Sequence, residues 1–307
     1  MNESAKIIPD WIAVDWGTTH LRAWAMSNVG KILGSAISQE GMANLSTETF
    51  EPALLKIILN WLVDGETTTV VSCGMVGSRQ GWVEAPYQEV PCEPLQNAKF
   101  ARVTTQDSRI AFFVVPGIKQ KSPADVMRGE ETQIAGLLVQ EPEFDGVACL
   151  PGTHTKWVRI SAGEVINFST YLTGELFSLL SSKSTLRHSV AQTGWDAIAF
   201  KNAIYDAITK PSGIAAKLFL LRSEALISEL SPETARARLS GYLIGLELDA
   251  ARQYWLGQKV VIIGEEKISN TYYSALNAQG CAPEKYDVQL LTLAGISSAY
   301  LQLRGQE

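Results

Sequence analysis

Short apolar runs and polar turns alternate along the first third of the chain. Trp11–Val14 is an apolar run, Asp15–Thr19 a polar turn, Leu21–Ser27 a second apolar stretch, and Asn28–Lys31 a turn before a third. Runs of this length predict a three-stranded β-meander. Over residues 50–63 the spacing changes, with Leu54, Leu55, Ile58 and Leu62 recurring at helical intervals. Thr68–Ser72 then reads as a buried strand running into the loop Cys73–Gly81. Strand, helix and strand in this order predict a sheet covered by helices. A further strand, Ile110–Val115, stops at Pro116-Gly117, and Lys119–Pro123 is short, basic and turn-rich. The boundary between two lobes is expected there, with an N-terminal lobe over 1–118 and a C-terminal lobe over 119–307.

The second half repeats the opening pattern. A helix is expected over 128–139, then a strand at Val147–Leu150, the turn Pro151–Thr155, a strand at Lys156–Ile160, a turn at Ala162-Gly163 and a strand at Glu164–Thr170. Placing Gly17-Thr18 on Gly152-Thr153 takes an offset of 135 residues and brings the flanking strands nearly into register. This is a weak internal repeat of one supersecondary unit. Beyond it, Ala235–Trp255 reads as helix, Lys259–Ile263 as buried strand, Ser269–Ala278 as helix, Asp287–Leu291 as a last strand and Ala294–Leu303 as a last helix.

Composition narrows the class. A chain of 307 residues exceeds a typical single domain, so two compact units are expected from length alone. With 46% apolar and 19% charged residues it reads as an ordinary globular α/β protein. A formal charge of −6 offers no basic field for a nucleic-acid backbone, so an anionic ligand needs a local positive site. Cys73, Cys92, Cys149 and Cys281 form neither CxxC nor Cys/His ligand spacing and are expected as reduced core thiols. Residues 1–10 lack a basic segment followed by an apolar stretch, and no run approaches the ~18 apolar residues of a spanning helix. A cytoplasmic protein without membrane contact is expected.

The turn Asp15-Trp16-Gly17-Thr18-Thr19 carries the first candidate chemistry. A hairpin tip with glycine lets backbone amides converge on an anion, threonine hydroxyls add donors, and an aspartate at its start holds the water shell of a magnesium ion. These are also ordinary turn residues, so alone the segment is equally a plain β-turn. The second turn, Pro151-Gly152-Thr153-His154-Thr155-Lys156, repeats the Gly-Thr pair at the same place in the meander, and the recurrence favours function. Two such tips would clasp a polyphosphate from both sides. A Walker-type loop is excluded, because no G-x-x-x-x-G-K-[ST] occurs.

These hairpins resemble the actin, hexokinase and heat-shock chaperone ATPases, whose two lobes each carry a hairpin of D-x-G-T-T type. The segments DWGTTHLRAW (15–24), CGMVGSRQGW (73–82), EAPY (84–87), VMRGEETQ (126–133), PGTHTKW (151–157) and TGEL (173–176) are together similar to the 2-dehydro-3-deoxygalactonokinase family. The resemblance implies a two-lobed α/β fold of the actin-like (ribonuclease H-like) type, each lobe a mixed sheet with flanking helices. It also implies ATP and magnesium as cofactors and a small sugar acid as substrate, with homodimerisation left open.

By that resemblance Asp15 organises magnesium, and Gly17, Thr18, Thr19, Gly152, Thr153 and His154 bind the phosphates of ATP. Gly264, at a strand end before Glu265-Glu266, matches the adenosine element, though a Gly-Gly pair is usual there. Related sugar kinases place a catalytic aspartate in a G-D-Q-Q segment, and Gly129-Glu130-Glu131-Thr132-Gln133 stands in its place. Glu130 is expected as the base that takes the proton of the attacking hydroxyl, the alternative being that the glutamate pair only favours a helix N-terminus. For the sugar acid, Arg22, Gly74, Met75, Trp82, Tyr87, Arg128, Lys156 and Glu175 lie in or beside the matching loops. Arg79 is equally a solvated charge, and Trp82 and Tyr87 are equally core aromatics. His20, His154 and His188 have no mutual metal spacing. The reaction implied is phosphorylation of 2-dehydro-3-deoxy-D-galactonate at its 6-hydroxyl. Another sugar or sugar-acid kinase, or a non-metabolic ATPase switch, are the alternatives.

Overall fold

The computed structural model describes residues 7–305. The first half holds β1 (Trp11–Trp16), β2 (Leu21–Met26), β3 (Ile32–Ser38), α1 (Phe50–Ile58), β4 (Thr68–Cys73), β5 (Tyr87–Glu89), β6 (Ala101–Val103), β7 (Ile110–Val114), β8 (Gly117–Lys121), β9 (Ala124–Met127) and α2 (Glu130–Gln140). Six strands form one mixed sheet in the order β3-β2-β1-β4-β7-β6. β1 runs antiparallel to β2 and parallel to β4, which pairs parallel with β7. Because side chains alternate along a strand, β1 feeds two cores. Ile12, Val14 and Trp16 pack in one core with Phe50, Leu54 and Ile58 of α1 and Phe112 of β7, whereas Trp11 and Ala13 belong to the opposite layer. The turn-rich segment at Lys119–Pro123 is part of a hairpin, β8 with β9, and β5 completes that small sheet.

The second half contains β10 (Gly146–Leu150), β11 (Thr155–Ser161), β12 (Glu164–Tyr171), α3 (Thr173–Ser182), α4 (Ala197–Thr209), α5 (Ile214–Ile227), α6 (Pro232–Ala250), α7 (Arg252–Trp255), β13 (Val260–Gly264), α8 (Glu266–Asn277) and β14 (Glu284–Asp287). Its sheet order is β12-β11-β10-β13-β14, with β10 antiparallel to β11 and parallel to β13. The expected repeat is therefore present: a hairpin, its third strand on one side and a parallel strand on the other. α3, α4 and α5 occupy a stretch to which the apolar pattern assigns no element.

Two expectations need correction. Asp287–Leu291 is not a strand: β14 ends at Asp287, and one helix, α9 (Val288–Arg304), follows at once. Its buried residues include Thr292, Gly295, Ile296, Ala299, Tyr300 and Leu303, a helical spacing hidden by a short apolar run that either element accepts. The lobe boundary is not at 118/119 either. One compact unit continues through Phe144 and takes in Ser161–Ile166 and the segment from Val288, and the other comprises Asp145–Ile160 and Asn167–Asp287. The reason is helix packing. A Cβ on Gly136 would meet Leu291 O at 1.9 Å, and one on Gly295 would meet Thr132 O at 1.9 Å, so α2 and α9 touch backbone to backbone. α9 also covers the first sheet, where Tyr300 stacks on Trp11 with ring centroids 4.2 Å apart.

Among the described residues no helix is long and apolar enough to cross a membrane. All four cysteines are free, with Cys73 and Cys149 buried and Cys92 and Cys281 partly so.

Candidate active site

In the first unit the site is built around the end of β1. Asp15 is half-buried, registered opposite Arg22 on β2 and Cys73 on β4. Arg22 Nη1 lies 3.6 Å from Asp15 Oδ2, and the Cys73 thiol donates to Oδ1 at 3.9 Å. Burial pushes the Asp15 carboxyl above its ordinary value, opposed by the charge of Arg22, the thiol contact and His20. The turn beyond it is exposed at Thr18 and Thr19 and is held from behind. Met42 N–H donates to Gly17 O and Ala43 N–H to Thr18 O, each at 3.0 Å, and Gly17 N–H donates to His20 O at 3.0 Å.

The segment Gly129-Glu130-Glu131 opens α2. Gly129 has φ +107° and no side chain with which to cap the helix, so Glu131 reaches back and its Oε2 accepts from Gly129 N–H at 2.7 Å. Its Oε1 accepts from Thr132 Oγ1 at 3.0 Å. Glu131 is fully buried, and burial, with the neighbouring Glu130 charge, raises its pKa to about 7. Glu130 is only partly buried, and its Oε2 accepts from Arg128 N–H at 3.0 Å.

Arg128 is buried, with its guanidinium 4.3 Å from the centroid of the Tyr87 ring and Nη2 donating to Ala85 O at 2.8 Å. Its Nε and Nη1 are buried without a hydrogen-bond partner. A Cβ on Gly77 would reach Nη1 at 2.9 Å, so the loop after β4 closes over the guanidinium. Gly74 and Met75 are in this loop, Gly74 buried and Met75 partly so, while Arg79 is exposed as a solvated charge would be. Trp82 belongs with the core: it stacks on Phe50 at 6.1 Å and packs on Phe112 at 4.7 Å.

In the second unit Gly152, Thr153 and His154 are exposed at the β10–β11 turn. The start of α3 packs under it: Glu175 N–H donates to Thr153 O at 2.9 Å, and a Cβ on Gly174 would stand 2.2 Å from Gly152 O. His154 Nε2 meets Glu175 Oε2 at 2.6 Å, so the two side chains share one place at this turn. Lys156 is buried, paired with Leu150 at the turn end of the β10–β11 hairpin, and donates to Thr170 Oγ1 at 3.2 Å across β11 and β12.

Beside this turn lies a cavity of about 340 Å³, whose lining includes Gly152, Thr173, Arg236, Leu243, Glu265 and Tyr272. Arg236 stacks on Phe177 at 5.0 Å. Gly264 is near it, its missing Cβ leaving room for Pro151 and Ser269 at 3.1–3.2 Å. The sequence reading missed most of this lining, because it comes from α3, α6 and α8 and no local pattern joins them. It also missed Glu247, a lone acid within the apolar face Leu243, Ile244 and Leu248 of α6, although an acid in such a face is a usable signal.

Comparison with known proteins fits this geometry. A 2-dehydro-3-deoxygalactonokinase of Escherichia coli is 32% identical over 276 residues, covering 88% of this chain and 90% of that protein. A solved Sinorhizobium meliloti structure assigned as a 2-dehydro-3-deoxygalactonokinase superposes with TM-score 0.87 at 34% identity, covering 95% and 96% of the two chains. The xylulose kinase of Lactobacillus acidophilus, 12% identical with TM-score 0.51 over 96% of this chain and 89% of that one, shares the fold. The expected two-lobed, actin-like sugar-kinase fold is thus the one observed. With a profile match over residues 15–299, the chain belongs to the 2-keto-3-deoxy-galactonokinase family.

Proposed function

We propose that this protein is an ATP-dependent kinase that phosphorylates 2-dehydro-3-deoxy-D-galactonate at its 6-hydroxyl, giving the 6-phosphate and ADP. The family match carries this reading, since it begins at Asp15 and includes both Gly-Thr turns. Gly17, Thr18 and Thr19, and in the second unit Gly152, Thr153 and His154, bind phosphate oxygens through their exposed turns. The cavity beside Gly152 takes the nucleoside, with the Arg236 plane and the apolar wall of Leu243 and Ile244 suited to a flat base.

Asp15 suits magnesium. It offers one half-buried carboxylate beside a phosphate turn, and no group of three or more metal-binding side chains exists among the described residues. Magnesium keeps several waters and takes one or two carboxylates with phosphate oxygens, so one aspartate suffices. Bound there, it neutralises charge on the transferring phosphate.

Glu130 is the base. As the sugar-acid 6-oxygen bonds to the γ-phosphorus and the bond to the ADP oxygen breaks, Glu130 takes the hydroxyl proton. Its partial exposure supports this role over Glu131, which is buried with one oxygen accepting from Gly129 N–H and the other from the Thr132 hydroxyl. Arg128, with two unsatisfied nitrogens above Tyr87, is the cation assigned to the substrate carboxylate, and Arg22, Gly74 and Met75 border the same loops.

The test is ATP turnover with a panel of 2-keto-3-deoxy sugar acids. Turnover that depends on 2-dehydro-3-deoxy-D-galactonate and yields its 6-phosphate is expected. Turnover indifferent to every sugar acid would exclude the reading.

A further inference from the structure

Glu247 is an acid packed away from the protein surface. It is 3% exposed on α6, between Ile244 and Leu248 in the sequence of that buried face. Protein donors replace its hydration. Trp157 Nε1 donates to Oε1 at 2.8 Å, Tyr272 OH donates to Oε2 at 2.8 Å, and Thr173 Oγ1 donates to the same Oε2 in a very short contact. Tyr272 OH also shares a hydrogen bond of 2.8 Å with Thr155 Oγ1. A satisfied buried network of this kind fixes geometry more than it adds stability, since apolar side chains of similar volume would often be as stable.

What the network fixes follows from where its members lie. Thr155 follows the turn Pro151–His154 directly. Thr173 opens α3, whose Gly174 and Glu175 hold Gly152 and Thr153 from beneath. Thr173 and Tyr272 both line the 340 Å³ cavity. We infer that Glu247 is a positioning residue for the nucleotide, one buried carboxylate setting the phosphate turn of the second unit relative to the nucleoside cavity. This rests on the nucleoside reading of that cavity.

Hydrogen-bond chemistry separates the variants. Trp157 only donates, whereas the hydroxyls of Thr173 and Tyr272 either donate or accept. A glutamine at 247 therefore keeps every contact, its oxygen accepting from Trp157 and its amide donating to the hydroxyls. An alanine keeps none.

The experiment measures the KM of ATP and of the sugar acid, the Kd of ADP by calorimetry, and Tm for Glu247→Ala, Glu247→Gln, Tyr272→Phe and Leu243→Trp. Glu247→Ala is expected to weaken ATP and ADP about tenfold or more, with the sugar-acid KM within about twofold of the parent. Tyr272→Phe moves the same constants by about threefold, and Glu247→Gln restores them to within about threefold. Leu243→Trp fills the cavity and weakens ADP whatever Glu247 does. If Leu243→Trp binds ADP normally, the nucleoside reading fails and the inference falls with it. If Leu243→Trp loses ADP while Tyr272→Phe and Glu247→Ala lower only Tm, or raise both KM values in parallel, the positioning role alone is overturned. Should Glu247→Ala not fold, Tyr272→Phe decides by the same readout.

Discussion

Gly74 and Gly129 lie against each other, a Cβ on Gly129 standing 3.4 Å from Gly74 Cα, and both have positive φ, +94° and +107°. A Cβ on Gly74 would also come within 2.7 Å of Trp16 O and 3.5 Å of Asp15 Oδ1. Two glycines thus bring the loop after β4 and the start of α2 up to the end of β1, where Asp15 and Glu130 are presented.

Gly129→Ala should therefore act on both folding and turnover. An alanine at that φ costs about 1–3 kcal/mol, and relief of the strain rotates the first turn of α2. We expect a lower Tm and kcat reduced by more than KM for ATP, checked by thermal denaturation and steady-state kinetics. Unchanged kcat would mean that the start of α2 has no part in the chemistry.

Asp15→Asn keeps the shape of the turn but removes the carboxylate proposed for magnesium. Turnover at saturating ATP and magnesium should fall by about a hundredfold or more, as expected for loss of charge stabilisation in phosphoryl transfer. A near-normal rate under those conditions would remove the assignment.

Glu130→Gln and Glu131→Gln should separate. The first keeps shape but takes no proton, so kcat should drop by about 10²–10⁴ with ADP affinity preserved. The second mainly alters the cap of α2, and is read in Tm. A Glu130→Gln enzyme with normal kcat would place the base elsewhere.

Stability should fall as pH rises from the acid range to neutrality. Burial holds the pKa of Glu131 and of Glu247 at about 7, against an ordinary value of 4.5. Below 4.5 both are protonated folded and unfolded. Between 4.5 and 7 the unfolded chain ionises while the folded one holds its protons, so stability is lost progressively up to about pH 7. Asp107, Asp196 and Glu224 are shifted downward and act in the opposite sense only at more acid pH. Tm at pH 8 should lie a few degrees below that at pH 5.5, and Glu131→Gln should flatten the slope. A Tm that rises over this interval in the parent protein contradicts the assignment.

The two hairpins are legible in the order of residues alone. Short apolar runs around Gly17-Thr18 and Gly152-Thr153 are local, strand pairing between neighbours follows from them, and the repeat at a fixed offset made the pair visible. That order also located Glu130 and Glu131 at a helix start, since both follow one glycine. Other features emerge only on folding, because they depend on residues distant in the chain. Burial differs between the two glutamates, complete at Glu131 and partial at Glu130. Contact at Gly136 and Gly295 returned α9 to the first unit and moved the boundary from 118/119. The packing of Trp82 on Phe50 and the contact of His154 with Glu175 likewise join residues from separate segments. The cavity beside Gly152 and the Glu247 network arise where α3, α6 and α8 converge, and burial, which sets the cost of an acid at that position, is a property of the packed chain and not of any segment.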